Sequence, residues 1–262
     1  MPLKHGFSLC TLKKEPYSRM MQIVIVSVIG FAGMFIRGLT GFGSALVMTP
    51  LMLFFFDIQT SVIAINLVEI AAVFSVTMNA RHDIDRQYLK ILLPITIVGI
   101  AVGSFFLISF NLQILKQIFG VLTVIFAGRI FINLRSVASR QRKWPFSWGY
   151  LSGALGGILG GIFGTPGPPI TIYLENQIDS QTVLRATLLI YFLALDIIRI
   201  IVYGYSGIVS LDMLKLAAFM LPAALIGSYC GQFIHLQIND KVFRGLVAVL
   251  LLITGALLAI GQ

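Results

Sequence analysis

The stretch GLTGFGS (residues 38–44) interrupts a long apolar run that covers residues 20–56. A second stretch, GGIFGTPGPP (residues 160–169), interrupts the apolar run 147–175. We call these two stretches the first break and the second break. Consecutive prolines remove backbone donors and clash with the preceding turn, so the second break does not continue an α-helix. Because each run is also longer than one membrane span requires, we expect a discontinuous helix or a re-entrant hairpin at each break.

The composition places the chain in a membrane. Of its 262 residues, 58% are hydrophobic and only 11% are charged, and the mean hydropathy is +0.95. A soluble domain of this size cannot bury so much apolar surface. This excludes a cytosolic enzyme, a nucleic-acid-binding protein and a secreted disulfide scaffold. The formal charge of +9 is best explained by basic loops at the cytoplasmic surface of a membrane protein.

Further apolar runs flank the two that are broken. They cover residues 60–79, 89–110, 115–134, 182–203, 211–234 and 241–261. We therefore predict an all-α polytopic membrane protein with 8–10 transmembrane segments. Its predicted parts are a polar basic tail (1–19), a first transmembrane repeat (20–135), a basic linker (136–146) and a second repeat (147–262).

The two halves resemble each other in sequence. Gly30, Gly33, Gly38 and Gly41 recur 123 residues later as Gly153, Gly156, Gly161 and Gly164. Thr60 and Glu69 recur as Thr187 and Asp196 after 127 residues, and Pro94, Gly99 and Gly103 recur as Pro222, Gly227 and Gly231 after 128. We interpret this as two internal repeats of about 125 residues, an arrangement common in secondary transporters. Outside the breaks, such glycines are expected to allow close helix packing.

The sequence leaves the topology open between two alternatives. If each broken run crosses the membrane once, one side carries 12 Lys and Arg residues and the other carries 3. If each run is a hairpin, the split is 6 against 9 and the repeats are inverted. The positive-inside rule favours the first alternative, while the length of 20–56 favours the second. We expect a multi-pass protein of the inner membrane with cytoplasmic termini.

The breaks are the predicted substrate site, because irregular backbone at membrane depth must be buried in protein or line a wet cavity. Unwound N–H groups and the amino end of a half-helix both favour an anion. The backbone of two groups is expected to bind it: Gly41, Phe42 and Gly43, and Thr165, Pro166 and Gly167. Thr165 is the expected N-cap of a new helix, with Pro168 or Pro169 in its first turn.

We single out four of the charged residues in the apolar runs, because a charge inside the membrane is costly and tends to be functional. Arg37 directly precedes the first break, and Arg199 follows Asp196 by one helical turn. We expect Arg37 to attract an oxyanion, Arg199 to assist it, and Glu69 or Asp196 to couple a proton. The structural alternatives are a neutralised Asp196–Arg199 pair, a protonated Glu69 in an interhelical hydrogen bond, and an Arg37 that snorkels to the interface.

Other chemistry lacks a signal in the sequence. The three histidines lie in the tail or in predicted loops, at His5, His82 and His235. The two cysteines, Cys10 and Cys230, form neither a disulfide framework nor a metal cluster. We expect no metal, no cofactor, no nucleic-acid partner and no enzymatic activity.

The glycine pattern resembles that of the TauE/SafE sulfite exporter family. It reads Gly-Phe-Ala-Gly-x4-Gly-Leu-Thr-Gly-Phe-Gly at 30–43 and has a second copy at 153–169. The resemblance covers about residues 20–262 and implies a permease that handles sulfite, thiosulfate or an organosulfonate. The family's usual consecutive glycines are altered here, to Gly-Phe-Gly-Ser at 41–44 and Thr-Pro-Gly at 165–167. The resemblance therefore implies the class of anion rather than sulfite specifically.

The sequence thus predicts a secondary transporter of a small sulfur-containing anion, with export favoured. One alternative is a cation- or proton-coupled carrier centred on Glu69 and Asp196. Another is an accessory membrane subunit of a larger complex, whose glycines only pack helices. The expected partners are the anion and the lipid bilayer, and the sequence leaves open a homo-oligomer.

Overall fold

The computed structural model describes residues 19–77, 84–135, 143–234 and 240–260. These residues form ten α-helices and no strand. The helices are α1 (Arg19–Thr40), α2 (Ser44–Met52), α3 (Ile58–Thr77), α4 (Arg86–Ser109), α5 (Leu112–Arg135), α6 (Ser147–Phe163), α7 (Gly167–Glu175), α8 (Gln181–Tyr205), α9 (Leu211–Ile234) and α10 (Asp240–Ile260). Most of the predicted basic tail and of the basic linker lies outside the described residues.

Five of these helices are long and apolar enough to cross a membrane: α1, α4, α5, α8 and α9. Shorter apolar segments lie in α3 (Ile58–Val73) and α10 (Val247–Ile260). Large apolar side chains such as Phe105, Ile125 and Tyr229 are exposed on the outer surface. That is the surface expected of a bundle embedded in lipid. The predicted all-α membrane architecture is confirmed.

Each broken run is a hairpin. A side chain at Gly33 in α1 would meet Met48 of α2, 15 residues further along the chain. In the second half, Ser152 Oγ of α6 donates a hydrogen bond to the Pro169 carbonyl at 2.6 Å. Such contacts require the chain to turn back at each break. The alternative in which each run crosses the membrane once is therefore wrong.

Glycines bring helices of the two halves into close contact. α1 packs along α9 and α4 packs along α6. A Cβ atom at Gly38 would lie 3.0 Å from the Cα of Gly231, and one at Gly103 would lie 3.1 Å from the Cα of Gly161. Backbone therefore contacts backbone in both pairs, as small residues allow in membrane helices.

The glycines expected to pack helices also do so. A Cβ atom at Gly30 would lie 2.6 Å from Met220 Cγ, and one at Gly156 would lie 2.8 Å from Ile170 Cγ1.

Equivalent helices of the two halves run in opposite directions. Gln59 at the start of α3 donates to the Leu107 carbonyl near the end of α4 at 3.2 Å. Gly120 near the start of α5 packs on Gly255 near the end of α10. The start of α3, the end of α4, the start of α5 and the end of α10 therefore lie at one face. Because α1 and α2 form a hairpin and α3 follows α2, the start of α1 lies at this face as well. We call it the terminal face. α6 begins at the opposite face, which we call the linker face.

The helix pairs are equivalent in the two halves. α1 of the first half packs on α9 of the second half, and correspondingly α6 of the second half packs on α4 of the first half. This arrangement agrees with inverted repeats. Duplication of the sequence itself stays a prediction.

The half-helices α2 and α7 lie inside the bundle. Eight of the nine residues of α2 are buried, and α7 buries Ile170, Tyr173 and Leu174 against α8 and α4. α3 packs on α8 between the two hairpins, and Asn66 of α3 donates to the Asp196 carbonyl of α8 at 3.2 Å. The two breaks therefore meet in the protein interior, beside the middle of α3 and α8.

Candidate functional site

Four charged side chains meet where the breaks approach α3 and α8. Arg37 comes from the last turn of α1, Glu69 from α3, and Asp196 and Arg199 from α8. Each residue is at most 4% exposed. The sequence singled out these four residues as intramembrane charges, and the structure brings all of them into one cluster. We call it the charge quartet.

Ion pairs connect the members of the quartet. Arg37 Nη1 lies 3.0 Å from Glu69 Oε1, and Arg199 Nη2 lies 3.4 Å from Glu69 Oε2. Arg199 Nη2 also pairs closely with Asp196 Oδ1. With two guanidinium groups and two carboxylates, the ionised quartet carries no net charge. Arg37 does not snorkel to the interface.

The contact between Arg37 and Asp196 is the longest ion pair of the quartet. Arg37 Nη2 and Asp196 Oδ2 are 3.6 Å apart, which exceeds hydrogen-bonding distance. Neither atom has a hydrogen-bond partner among the residues that the structure describes, and the same holds for Nε of Arg37. Buried polar groups are nearly always satisfied in folded proteins, so these three atoms mark a place where a ligand is expected.

Glu69 is held more completely than Asp196. Ser44 Oγ, in the first turn of α2, donates to Glu69 Oε1. The same hydroxyl accepts a hydrogen bond from Arg37 Nη1 at 3.4 Å. The side chain of Glu69 therefore accepts hydrogen bonds from Ser44 and Arg199 and forms an ion pair with Arg37. The sequence analysis did not single out Ser44, although its place directly after the glycines of the first break is a signal for it.

A cavity with about 360 Å³ of empty space, part of it open to the surroundings, adjoins the quartet. Both breaks and all four charged residues line it. The lining residues are Arg37, Phe42, Gly43, Ser44, Ala45, Leu46, Glu69, Gly164, Thr165, Pro166, Gly167, Pro168, Phe192, Asp196 and Arg199. The predicted binding residues thus line one cavity, with the exception of Gly41. A side chain at Gly41 would instead lie 2.7 Å from Cγ of Arg185.

The geometry of the breaks depends on glycines with positive φ. These are Gly41 (+86°), Gly43 (+90°) and Gly164 (+72°). A left-handed residue ends α1 and α6 and turns the chain toward the following half-helix. Any other L-residue in this conformation is strained by about 1–2 kcal/mol. The sharp reversal is therefore encoded directly by the glycine pattern.

The amino ends of α2 and α7 differ in their capacity to bind an anion. The first turn of α2 offers the N–H groups of Ser44, Ala45 and Leu46, which have no acceptor within the helix. In the described structure, the N-cap residues of α2 and α7 make no side-chain cap hydrogen bond. Pro168 and Pro169 in the first turn of α7 have no N–H group. The donors are therefore concentrated at α2, beside Arg37.

Two details of the second break correct or extend the sequence analysis. Thr165 is not the N-cap of α7, because Pro166 occupies that position. The prediction that Pro168 lies in the first turn is confirmed.

Arg185 is a site neighbour that the sequence analysis missed. It lies in α8, and its Nη2 donates to the Gly38 carbonyl at the end of α1. The signal for it was its charge inside the apolar run 182–203.

Comparison with known families identifies the chain. Residues 26–258 match the family model described as Sulfite exporter TauE/SafE. The chain belongs to the TauE/SafE sulfite exporter family. The match includes both breaks and the whole charge quartet, and the resemblance noted from the glycine pattern is confirmed. No curated protein and no solved structure matches the chain.

Membership of the TauE/SafE family makes the chain an integral membrane transporter of the permease type. The family description names sulfite, so the coarse substrate class is a sulfur-containing anion.

Proposed function

We propose that this TauE/SafE protein is a secondary transporter that exports a small sulfur-containing anion, such as sulfite, thiosulfate or an organosulfonate. The anion binds in the cavity between the two breaks. One observation carries the proposal: the buried Arg37 and the amino end of α2 line the same cavity.

The chemistry of this corner suits an oxyanion. A guanidinium group presents N–H donors in a planar fork that matches two oxygens of a sulfite or sulfonate. The amino end of a helix adds about half a positive charge and further donors for the remaining oxygen. Burial strengthens both contributions, because the surrounding dielectric constant is low.

We assign the following roles within this proposal. Arg37 binds the anion, and Arg199 holds Glu69 and Asp196 in place. The backbone at Phe42, Gly43, Thr165, Pro166 and Gly167 shapes the binding surface. Gly41 permits the reversal after α1 without contacting the anion, and Glu69 and Asp196 are the groups available for proton coupling.

Opposed hairpins suit alternating access. The α1–α2 hairpin enters from the terminal face, and the α6–α7 hairpin enters from the linker face. A site between two such tips opens to one face when one hairpin moves and to the other face when its counterpart moves. Interior-negative potential favours export by about 2.3 kcal/mol per 100 mV for each negative charge that leaves.

We further propose that the linker face is cytoplasmic. With a hairpin at each break, the sequence places 9 Lys and Arg residues at the linker face and 6 at the terminal face. The expectation of cytoplasmic termini depended on single crossings and loses its basis. The positive-inside rule then favours termini on the outer side.

The test is flux of radiolabelled anions from proteoliposomes that contain the purified protein. Sulfite, thiosulfate, sulfoacetate and sulfate are compared in wild-type protein, Arg37→Ala and Arg129→Ala. Arg129 is an exposed arginine of α5 and serves as the matched control. We expect flux of at least one sulfur anion in the wild type and in Arg129→Ala, with at least a tenfold loss in Arg37→Ala.

Other outcomes separate the alternatives. Equal anion flux in Arg37→Ala and wild type overturns the assignment of the site. Sodium- or pH-driven flux without any anion flux favours a carrier centred on Glu69 and Asp196. A purified protein that moves nothing, but gains activity with a co-purifying subunit, favours an accessory role.

A further inference from the structure

We infer that the anion is carried together with one proton, and that this proton resides on Oδ2 of Asp196. The inference rests on the proposed function and deepens it, because it names which of the two buried carboxylates couples and fixes the charge moved per anion. It starts from the balance of the quartet. The charges of the two arginines and the two carboxylates cancel, so the charge of Arg37 is already balanced before an anion enters.

An entering anion would leave three negative charges against two positive ones in a buried site. Excess buried charge is costly, since a low-dielectric interior compensates it poorly. One proton taken up with a monovalent anion restores the balance. The question is which carboxylate accepts it.

Contacts distinguish the two carboxylates. Glu69 is bound by both arginines, at 3.0 Å and 3.4 Å, and by the Ser44 hydroxyl. All three groups favour its ionised form, and together they contact both of its oxygens. A proton there would have to displace one of these groups.

Asp196 leaves one oxygen free. Oδ1 accepts from Arg199, but Oδ2 has no hydrogen-bond partner among the described residues and faces Arg37 Nη2 at 3.6 Å. A proton on Oδ2 disrupts no existing hydrogen bond. It also releases Arg37 from a carboxylate and creates a donor, so a bound oxyanion can accept from both Asp196 and Arg37.

The groups that face Asp196 from each neighbouring helix allow this assignment. Arg37 approaches from α1, and Glu69 and Asn66 approach from α3. Arg199 lies one turn along α8. Tyr203, a further turn along α8, donates its hydroxyl to the Gly161 carbonyl at 2.9 Å. Glu69 is the only other carboxylate among these neighbours.

The inference predicts different charge movement for different anions. Because Oδ2 of Asp196 is the one carboxylate oxygen of the quartet that is open to a proton, a divalent anion such as thiosulfate also takes one proton and moves one net negative charge. An interior-negative potential therefore still drives its export. A monovalent sulfonate such as methanesulfonate moves no net charge. Asp196→Asn keeps an acceptor for Arg199 but cannot take up the proton. This variant therefore moves two charges per thiosulfate.

The experiment uses proteoliposomes with an internal pH dye, a radiolabelled anion and a current readout. Thiosulfate and methanesulfonate are suitable probes, because both stay fully ionised between pH 6 and 8. With wild-type protein we expect inward thiosulfate flux to acidify the lumen, with one charge per anion. Methanesulfonate flux is expected to acidify the lumen without a current.

Two variants complete the test. Asp196→Asn is expected to carry thiosulfate without acidification and with a twofold higher charge per anion. Glu69→Gln is the matched control, and it is expected to retain one proton per anion even if its rate falls. Anion flux in wild-type protein without acidification overturns the inference and leaves the proposed function standing.

Acidification that persists in Asp196→Asn and disappears in Glu69→Gln would also overturn the inference, since it assigns the proton to the other carboxylate. Absence of flux for every sulfur anion, sulfite included, overturns the proposed function itself. If Asp196→Asn does not fold, the charge and proton counts of the wild type and Glu69→Gln still decide the stoichiometry.

Discussion

Arg37 is held in the protein by the same groups that it must partly release to bind an anion. It pairs with Glu69 at 3.0 Å and contacts the Ser44 hydroxyl at 3.4 Å, while its Nε and Nη2 atoms have no hydrogen-bond partner in the described residues. This arrangement pre-organises the guanidinium group and keeps part of its donor capacity available. Stability and binding therefore depend on the same side chain, and a double-mutant cycle separates them.

Replacing Arg37 with methionine should destabilise the protein because it leaves an uncompensated carboxylate in the quartet. Losing one partner of a buried ion pair costs about 3–5 kcal/mol. The double variant Arg37→Met/Glu69→Gln restores neutrality and should recover much of that loss. Thermal unfolding in detergent measures this, with Arg129→Met as the exposed control. Simple addition of the two single effects would contradict the account.

Gly43 tests the backbone of the first break separately from its packing. A Cβ atom there would meet only Ile36 Cγ2, at 3.8 Å, so space is available. Its φ of +90° strains any other L-residue by about 1–2 kcal/mol. Gly43→Ala should therefore lower stability by that amount and weaken anion binding, because the amino end of α2 shifts. An unchanged melting temperature would show that the reversal tolerates a side chain.

At the scale of the helices, backbone contacts fix how far the hairpins insert. A Cβ atom at Gly38 would lie 2.6 Å from the Ser228 carbonyl oxygen, and one at Gly161 would lie 2.8 Å from the Ser104 amide nitrogen. Backbone cannot rotate away as a side chain can, so these positions admit only glycine. Gly38 belongs to the first break and Gly161 to the second. Close packing therefore positions the cavity as well as stabilising the bundle.

Alanine substitutions should separate these packing glycines from ordinary ones. Gly38→Ala and Gly161→Ala are expected to lower the melting temperature markedly, since overpacking costs about 1–3 kcal/mol. Gly128 in α5 has nothing within 4 Å of an added Cβ atom. Gly128→Ala should be neutral or stabilising by up to about 1 kcal/mol. Equal effects at all three positions would contradict the packing argument.

For the whole molecule, opposed hairpins fix which loops share a side. Ser206, between α8 and α9, and Asn111, between α4 and α5, lie at the terminal face; Ser180, between α7 and α8, lies at the linker face. Single cysteines in a background without Cys10 and Cys230 can report this with a membrane-impermeant thiol reagent. In intact cells we expect labelling at 111 and 206 and protection at 180. Labelling at 180 alone would reverse the proposed orientation, and labelling at 111 and 180 without 206 would contradict the topology.

Much of the architecture could be predicted from the sequence. The eight apolar runs correspond closely to the helices and hairpins, because apolar length and punctuation by glycine and proline are local signals. Local sequence signals could not decide whether each broken run crosses the membrane once or forms a hairpin. This choice depends on contacts such as Gly33 with Met48, between residues that periodicity does not relate. The charge rule alone favoured the wrong alternative.

The candidate site was partly predictable for similar reasons. Arg37, Glu69, Asp196 and Arg199 were visible because a charge inside an apolar run is rare. Their mutual pairing was not visible, since it requires α1, α3 and α8 to meet. Ser44 and Arg185 were missed, because a hydroxyl beside glycines and a charge near a helix start have common structural explanations.

The most direct test of the central claim is to locate a bound anion. Selenite resembles sulfite in shape and charge, and its selenium gives an anomalous signal that identifies its position in crystals of the protein. We predict a selenium peak in the cavity between the breaks, within hydrogen-bonding distance of the Arg37 guanidinium group and the first turn of α2. The peak should be absent from crystals of Arg37→Ala. A principal peak elsewhere in the protein, or the same peak in Arg37→Ala, would contradict the account.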